Sequence, residues 1–456
     1  MSERATEFST LTPALSPAFI SADDAAVYAH ELIVAIKNGV VYGGFILSKN
    51  HQFFATLPQA GALHSFDPAQ VLSLSPEGDF LPMAGYVIEG MYHSNTSLYR
   101  VPWAVHEESE LQDNFFSIQD LNMAMRYRDN YPRFYLSCPD KCVLSYTASG
   151  TDFERALWPL FTRTRPHYPG TLERAYDLGS LMPSHLVGLM AVAGQLCVVL
   201  PGGHWARRSR LGVNWAADQQ NLQLPIDRQP VCGPLCSTLL EAVSGAQQQM
   251  LKRKDLQQAG YILVHENAGE YVCTRALQTV YFEFDRSRVF PKNASGVPAL
   301  PTGYRVVGVY HSGDEYDNEL PDALNEVFGD FFSPGSLFVN LLLARATPGC
   351  EVYFCTRRGG LLRYNSGQSE AQSTLLAELT SVNGAASELE SQLLAAELSA
   401  RDYVRRVAAA GQLEVVIADG VWTQVGPVGQ TWEPFAALTS AGETLNDQAQ
   451  ALHWAR

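Results

Sequence analysis

Gly85-Tyr-Val-Ile-Glu-Gly-Met-Tyr-His-Ser94 is answered, later in this 456-residue chain, by Gly303-Tyr-Arg-Val-Val-Gly-Val-Tyr-His-Ser312, with six identities in ten positions. At an offset of 216–218 residues, other landmarks fall into register with this pair. Gly44-Phe-Ile-Leu47 meets Gly260-Tyr-Ile-Leu263, and Phe66-Asp67 with Val71 meets Phe284-Asp285 with Val289. Phe115-Phe-Ser117 meets Phe331-Phe-Ser333, and Leu144 with Tyr146 meets Leu362 with Tyr364. Ala193-Gly-Gln-Leu-Cys-Val-Val199, then Trp205, Gly212 and Trp215, meets Ala410-Gly-Gln-Leu-Glu-Val-Val416, then Trp422, Gly429 and Trp432. A period this long lies far beyond the roughly 20–50 residues of a solenoid, so the chain reads as two whole domains in tandem. The boundary is expected between Asn221 and Pro234, where Pro225, Pro230, Gly233 and Pro234 punctuate a polar stretch.

Each unit reads as α+β. Ser21 caps a helical pattern through Ile33, with Asp23 and Asp24 complementing its first-turn dipole. Strand-like runs follow at Tyr42–Leu47, Phe53–Thr56, Tyr86–His93, Phe134–Ser137 and Val143–Tyr146, with a helix over Phe116–Arg128. Both units then carry an appendage of helices and a β-hairpin. The helices are expected at Thr151–Arg163, Thr171–Leu178 and Ser184–Ala193 in the first unit, and at Ser373–Leu379, Ser387–Leu398 and Ala400–Ala409 in the second. The implied divisions are residues 1–150, 151–228, 229–367 and 368–456.

Composition sets the outer limits. With 46% apolar and 17% charged residues the chain can bury sizeable cores. A net charge of −15 argues against a nucleic-acid partner, since phosphate binding needs a basic footprint. Met1–Glu7 lacks the layout of a signal peptide, and the apolar run Leu186–Leu200 is short and interrupted by Gln195, so no membrane span is expected. Eight cysteines in such a chain read as reduced thiols in a cytosol.

The strand end Ile88-Glu-Gly-Met-Tyr-His-Ser-Asn95, followed by Phe116-Ser-Ile-Gln-Asp-Leu121, resembles the core of the JAB/MPN (JAMM) metallopeptidase superfamily. Active members carry a Gly-x-Tyr-His-Ser-His strand end, a Ser-x-x-Asp opening a helix, and a Glu three residues before a glycine on an early strand. That resemblance implies a zinc held by two His and one Asp, a metal-activated water, the Glu as general base and the Ser as oxyanion donor. The chain is also similar to an uncharacterised bacterial family with a Tyr-Gly-Gly strand and a Tyr-His motif, sometimes found at the ends of polymorphic toxins. The resemblance covers roughly residues 20–147 and 235–364.

The departures matter as much as the matches. His93, Asp120 and Ser117 match, but Asn95 stands in place of the second His and Val41 in place of the Glu. In the second unit His311 and Ser333 match, while Gly313, Ser336 and Gln257 replace the second His, the Asp and the Glu. A neutral amide is a poor zinc ligand beside imidazole and carboxylate. Structural readings compete: Tyr92/His93 and Tyr310/His311 as packing pairs, Ser117 and Ser333 as helix caps, Asp120 as a first-turn acid.

Other candidates are weaker. Cys138-x-x-x-Cys142 with Cys232-x-x-x-Cys236 has the spacing of a tetrathiolate zinc site, though core thiols are the simpler account. The basic cluster Gly202–Arg210 reads as a solvated hairpin edge, and the four tryptophans as glue between hairpin and helices. His106–Glu110 and Asp314–Glu319 read as acidic loops over the cleft, and Ser366–Ser373 as a polar linker. No phosphate-binding glycine loop or Gly-x-Ser-x-Gly elbow occurs.

The combined expectation is a cytoplasmic pseudoenzyme, two JAB/MPN-like units forming an intramolecular pseudo-dimer that binds a protein or peptide partner. Its cleft would be formed by Tyr92, His93, Asn95, Ser117, Asp120, Tyr310, His311 and Ser333, without a cofactor. Two alternatives stay open. One is a metal-dependent peptidase or isopeptidase active in the first unit alone, with zinc on His93, Asp120 and Asn95 and Ser117 assisting. The other is a secreted effector or toxin-associated module exported without a leader.

Overall fold

The structure is a computed structural model that describes residues 11–36, 39–63, 65–95, 106–163, 168–213, 215, 230–253, 257–279, 286–290, 296–313, 325–347, 349–367, 369–381 and 386–435. It divides into two compact units, Met1–Pro234 with Pro291–Ala299, and Leu235–Phe290 with Leu300–Arg456. Each unit is α+β and contains an eight-stranded mixed sheet.

The first unit runs α1 (Ala22–Ala35), β1 (Tyr42–Lys49), β2 (Gln52–Ala55), β3 (Gln59–Ala60), β4 (Val87–Ser94), α2 (His106–Asp113), α3 (Ile118–Arg126), β5 (Arg133–Ser137) and β6 (Val143–Thr147). It continues with α4 (Asp152–Phe161), α5 (Thr171–Asp177), α6 (Pro183–Ala193), β7 (Gln195–Leu200) and β8 (Ser209–Arg210). The strand order is β2-β1-β4-β5-β6-β7-β8, with β3 also on β1. All neighbours are antiparallel except β4 and β5, which the α2–α3 crossover makes parallel. Asn50 and His51 both take positive φ, 51° and 64°, giving the two-residue turn whose twist suits the β1–β2 hairpin.

The second unit repeats this plan with α7 (Leu239–Met250), β9 (Gln258–His265), β10 (Tyr271–Cys273), β11 (Leu277–Gln278), α8 (Arg286–Val289), β12 (Tyr304–Ser312), α9 (Asn325–Gly329), α10 (Pro334–Ala346), β13 (Glu351–Cys355) and β14 (Leu361–Asn365). Then come α11 (Glu370–Glu378), α12 (Glu388–Leu394), α13 (Ala400–Ala410), β15 (Gln412–Ile417) and β16 (Gly426–Pro427). Its order, β10-β9-β12-β13-β14-β15-β16, reproduces the first strand for strand, down to a register shift in the β1–β4 and β9–β12 pairings.

Several expectations change. The segments expected as appendages supply β7–β8 and β15–β16 to the main sheets: β7 pairs with β6 and β15 with β14. His106–Glu110, expected as a loop, begins helix α2, whose Glu107 and Glu108 lie in the favourable first turn. Ser366–Ser373 is no linker: Ser369 caps α11, and Gln372 donates to Ser366 Oγ at 2.5 Å. Arg208 is not a solvated edge residue, for it lies 3.8 Å from the buried Asp23 of α1. The expected acidic loop Asp314–Glu319, the landmark Phe284-Asp285 and most of the Asn221–Pro234 boundary fall outside the described residues. Among the described residues one stretch, Glu326–Ala346, has the length and apolarity of a membrane span. It is two helices, α9 and α10, interrupted at residues 330–333, with 61% of its most apolar window buried.

The sheet of the first unit has a core on each face. Alternation along β4 sends Met91 into the cluster containing Phe45, Leu121, Met125 and Phe134, and Tyr92 into the opposite cluster with Ala22, Ala25, Ala26 and Ala29 of α1. Gly44 lies opposite Tyr92 in the β1–β4 ladder; a methyl there would come within 2.6 Å of the Tyr92 hydroxyl, which itself donates to Thr56 O at 2.5 Å. Gly260 opposes Tyr310 in the same way, and Tyr310 donates to Thr274 O. The repeated glycine–tyrosine register is therefore a packing device in both sheets.

Candidate functional site at the ends of β4 and β12

His93 is next to last in β4, so it faces away from Tyr92 and towards α3. The structure thus does not place Tyr92 beside His93, nor Tyr310 beside His311: both tyrosines are buried among residues of the other core. Ser94 and Ser312, missed in the sequence, pin the next strands, accepting from Tyr42 N at 2.9 Å and Gln258 N at 3.0 Å.

Helix α3 supplies the partner of His93. Ser117 caps it in a reciprocal box: Ser117 Oγ accepts from Asp120 N at 3.2 Å, and Asp120 Oδ2 accepts from Ser117 N at 2.8 Å. Asp120 Oδ1 is left facing His93 Nε2 at 3.2 Å, ion-pair range although off the axis of a straight hydrogen bond. His93 Nδ1 faces Ser94 O at 3.1 Å. Acceptors therefore face both ring nitrogens, an arrangement that suits the imidazolium. Burial disfavours that charge, but Asp120 outweighs it, and the His93 pKa is raised overall. Burial likewise opposes ionisation of Asp120, yet the His93 charge and the Ser117 donors hold its carboxyl below the usual range.

The second unit builds a neutral version. His311 Nδ1 faces Ser312 O at 3.4 Å, and Nε2 meets Asn340 Nδ2 at 2.8 Å. With no carboxylate acting on it among the described residues, burial pushes the His311 pKa down to about 4, only partly offset by the Ser312 carbonyl. Ser333 caps α10 by accepting from Ser336 N, and both serines are buried.

The replacement residues are committed to structure. Asn95 Nδ2 donates to Asp113 O at 3.0 Å and Phe115 O at 3.4 Å, holding the segment before α3. Val41 is buried, with its backbone paired to Gly61 and Ala62. Gly313 leaves little room for a side chain: a methyl would lie 3.0 Å from Gly329 O and Phe354. The tryptophans join the same region, for Trp205 Nε1 donates to Asn114 O at 2.8 Å and Trp422 Nε1 to Asp330 O at 2.9 Å.

Tested against zinc, this donor set falls short. Among the described residues it offers one imidazole and one carboxylate, with the Asn95 amide nitrogen engaged by the backbone, whereas a catalytic site needs three protein ligands. Valine at the position of the base leaves no proton acceptor there, and Gln257 in the second unit offers none either. Of the two cysteine pairs, Cys138 and Cys142 come together with Asp140. Cys232, at the end of the first unit, instead docks through its N–H on Asp24 at 2.7 Å, and Cys236 bridges to Tyr271. No family model, curated protein or solved structure matches the chain.

Proposed function

We propose that the chain is a non-catalytic protein-binding or scaffold module made of two degenerate JAB/MPN-like units. It works in the cytoplasm and takes a protein or peptide at the strand end of the first unit. The observation that carries this reading is the donor set at His93: one imidazole facing one carboxylate at 3.2 Å, while among the described residues the only group of three candidate ligands lies elsewhere, at Cys138, Asp140 and Cys142. Ser117 is exposed above the pair, and α2 alongside presents exposed Glu107 and Glu110, which favours a basic partner. Joining two such units in one chain raises the concentration of each for the other, which supports a constitutive pseudo-dimer.

Metal analysis of the purified chain beside its His93→Ala variant tests the reading. Stoichiometric zinc that disappears with His93→Ala would overturn it in favour of the peptidase. Affinity capture from the native source, repeated with Glu107→Lys/Glu110→Lys, is expected to lose its specific partner in the variant.

A further inference from the structure

The β5–β6 turn of the first unit carries chemistry that the site above does not use. Cys138 N donates to Cys142 O at 3.0 Å, Lys141 N to Cys138 O at 3.1 Å, and Lys141 sits at φ 73°, so three residues turn the hairpin in a fixed shape. That shape gathers a Cys138 sulfur, a Cys142 sulfur and an Asp140 oxygen within 4.8 Å of one another. We propose that Cys138, Asp140 and Cys142 form a three-ligand binding site for a thiophilic divalent cation of the zinc–cadmium kind.

Three observations support it. Tetrahedral bonds of about 2.3 Å to sulfur and about 2.1 Å to oxygen put ligand atoms roughly 3.5–3.8 Å apart, so side-chain rotations of about 1 Å complete the set. The carboxylate is already oriented from behind: Oδ1 accepts from Cys142 N at 3.0 Å and Oδ2 from His204 N at 2.6 Å, the kind of outer support that metal-binding carboxylates have. Both thiols are buried, where an unpaired charge is costly, and exchanging two thiol protons for one divalent ion leaves the local charge unchanged.

The second unit supplies an internal comparison. It makes the same hairpin, Thr356 N to Gly360 O at 2.9 Å, but places Thr356, Arg358 and Gly360 at the three ligand positions. Arg358 is a permanent cation there, 3.0 Å from Glu326 and acting on Asp330. In the first unit Asp140 takes the place of that arginine, Glu110 stands in register with Glu326, and Asn114 with Asp330.

Its place in the fold gives the ion something to hold. Asn114 O lies 3.5 Å from Cys138 Sγ and accepts from Trp205, while Asn114 Oδ1 accepts from Asp140 N at 3.1 Å. The occupied turn would fix the segment that leads into Ser117.

The test uses the full chain, reduced and stripped of metal, titrated with Cd²⁺ while thiolate-to-cadmium absorption is followed, then with Zn²⁺ against a chromophoric chelator. One equivalent is expected, with affinity lowered more than about 100-fold in Cys138→Ser/Cys142→Ser and about 10-fold in the near-isosteric Asp140→Asn. Circular dichroism checks that the variants fold. Cys232→Ser/Cys236→Ser and His93→Ala should bind as the parent does, which separates this ion from any metal on the strand-end pair. Absence of the thiolate band, its survival in Cys138→Ser/Cys142→Ser, or unchanged affinity in Asp140→Asn would overturn the assignment.

Discussion

Replacing Asp120 by Asn converts the charged pair of the first unit into the neutral pair of the second, which makes the consequence calculable. An Asn oxygen can still accept from Ser117 N, and its amide would face His93 Nε2 as Asn340 faces His311. In the parent chain the raised His93 pKa means that its contribution is complete below its ordinary value of 6.5 and fades as pH climbs through the folded value. The lowered Asp120 pKa means that its contribution is present above 3.8 and fades as pH falls through the folded value. The pair is therefore strongest in the mildly acidic range. In Asp120→Asn, His93 should move towards the value of about 4 shown by His311. At about 1.36 kcal/mol per unit, the imidazole that the fold then keeps neutral costs about 2 kcal/mol at pH 5 and almost nothing at pH 8. Proton NMR of the histidine ring gives the two pKa values, and urea unfolding at both pH values gives the deficit. A parent His93 titrating at or below 6.5, or a deficit equal at pH 5 and pH 8, would refute the reasoning.

Three further outcomes follow from the same structure. His311 makes the second unit acid-labile: its lowered pKa means stability is intact above 6.5 and falls by about 3 kcal/mol as pH drops to about 4, so His311→Gln should flatten that slope in pH-dependent unfolding. Lys141→Gly should stabilise the first unit by about 1 kcal/mol in denaturant melts, because Lys141 holds φ 73° where the equivalent Gly359 holds 115° at no side-chain cost. Gly44→Ala should destabilise by about 3 kcal/mol or more, since its methyl meets the Tyr92 hydroxyl within 2.6 Å, and the paired change Gly44→Ala/Tyr92→Phe should recover part of the loss.

The sheets and most helices were legible because their signals are local. Ser21, Thr151 and Ser387 cap the helices expected to begin beside them, and the Gly–Tyr register fixes β1 against β4. What escaped depended on contacts between segments far apart in the chain. Asn340, the partner of His311, is hidden in the sequence because Ser336 occupies the place of Asp120 in register. Asn340 lies four residues on, one helical turn of about 5.4 Å along the same face, so a scan by helical spacing would have found it. Asp140 carries no signal of its own between Cys138 and Cys142, since thiol spacing points only to other thiols, whereas the turn brings the intervening carboxylate to them. The continuation of each sheet through β7 and β15 was hidden because helices interrupt the chain between paired strands.

Comparing the two units separates what folding requires from what it leaves free. Where geometry admits one solution, both units keep it: glycine beneath a tyrosine ring, tyrosine hydroxyl to a threonine carbonyl, tryptophan N–H to the carbonyl two residues before the Phe-Ser cap. Where geometry admits several, the units part. His93 faces a carboxylate and His311 an amide; Asn95 grips a backbone that Gly313 lets approach; Cys138, Asp140 and Cys142 stand where Thr356, Arg358 and Gly360 complete a turn by other means. Two of these differences adjoin. Asn95 N donates to Ser137 O at 3.0 Å, so the histidine pair and the cysteine turn begin on adjoining strand ends. That adjacency, at the strand end where Ser117 is exposed, is the reason to look there, in the first unit, for whatever this chain binds.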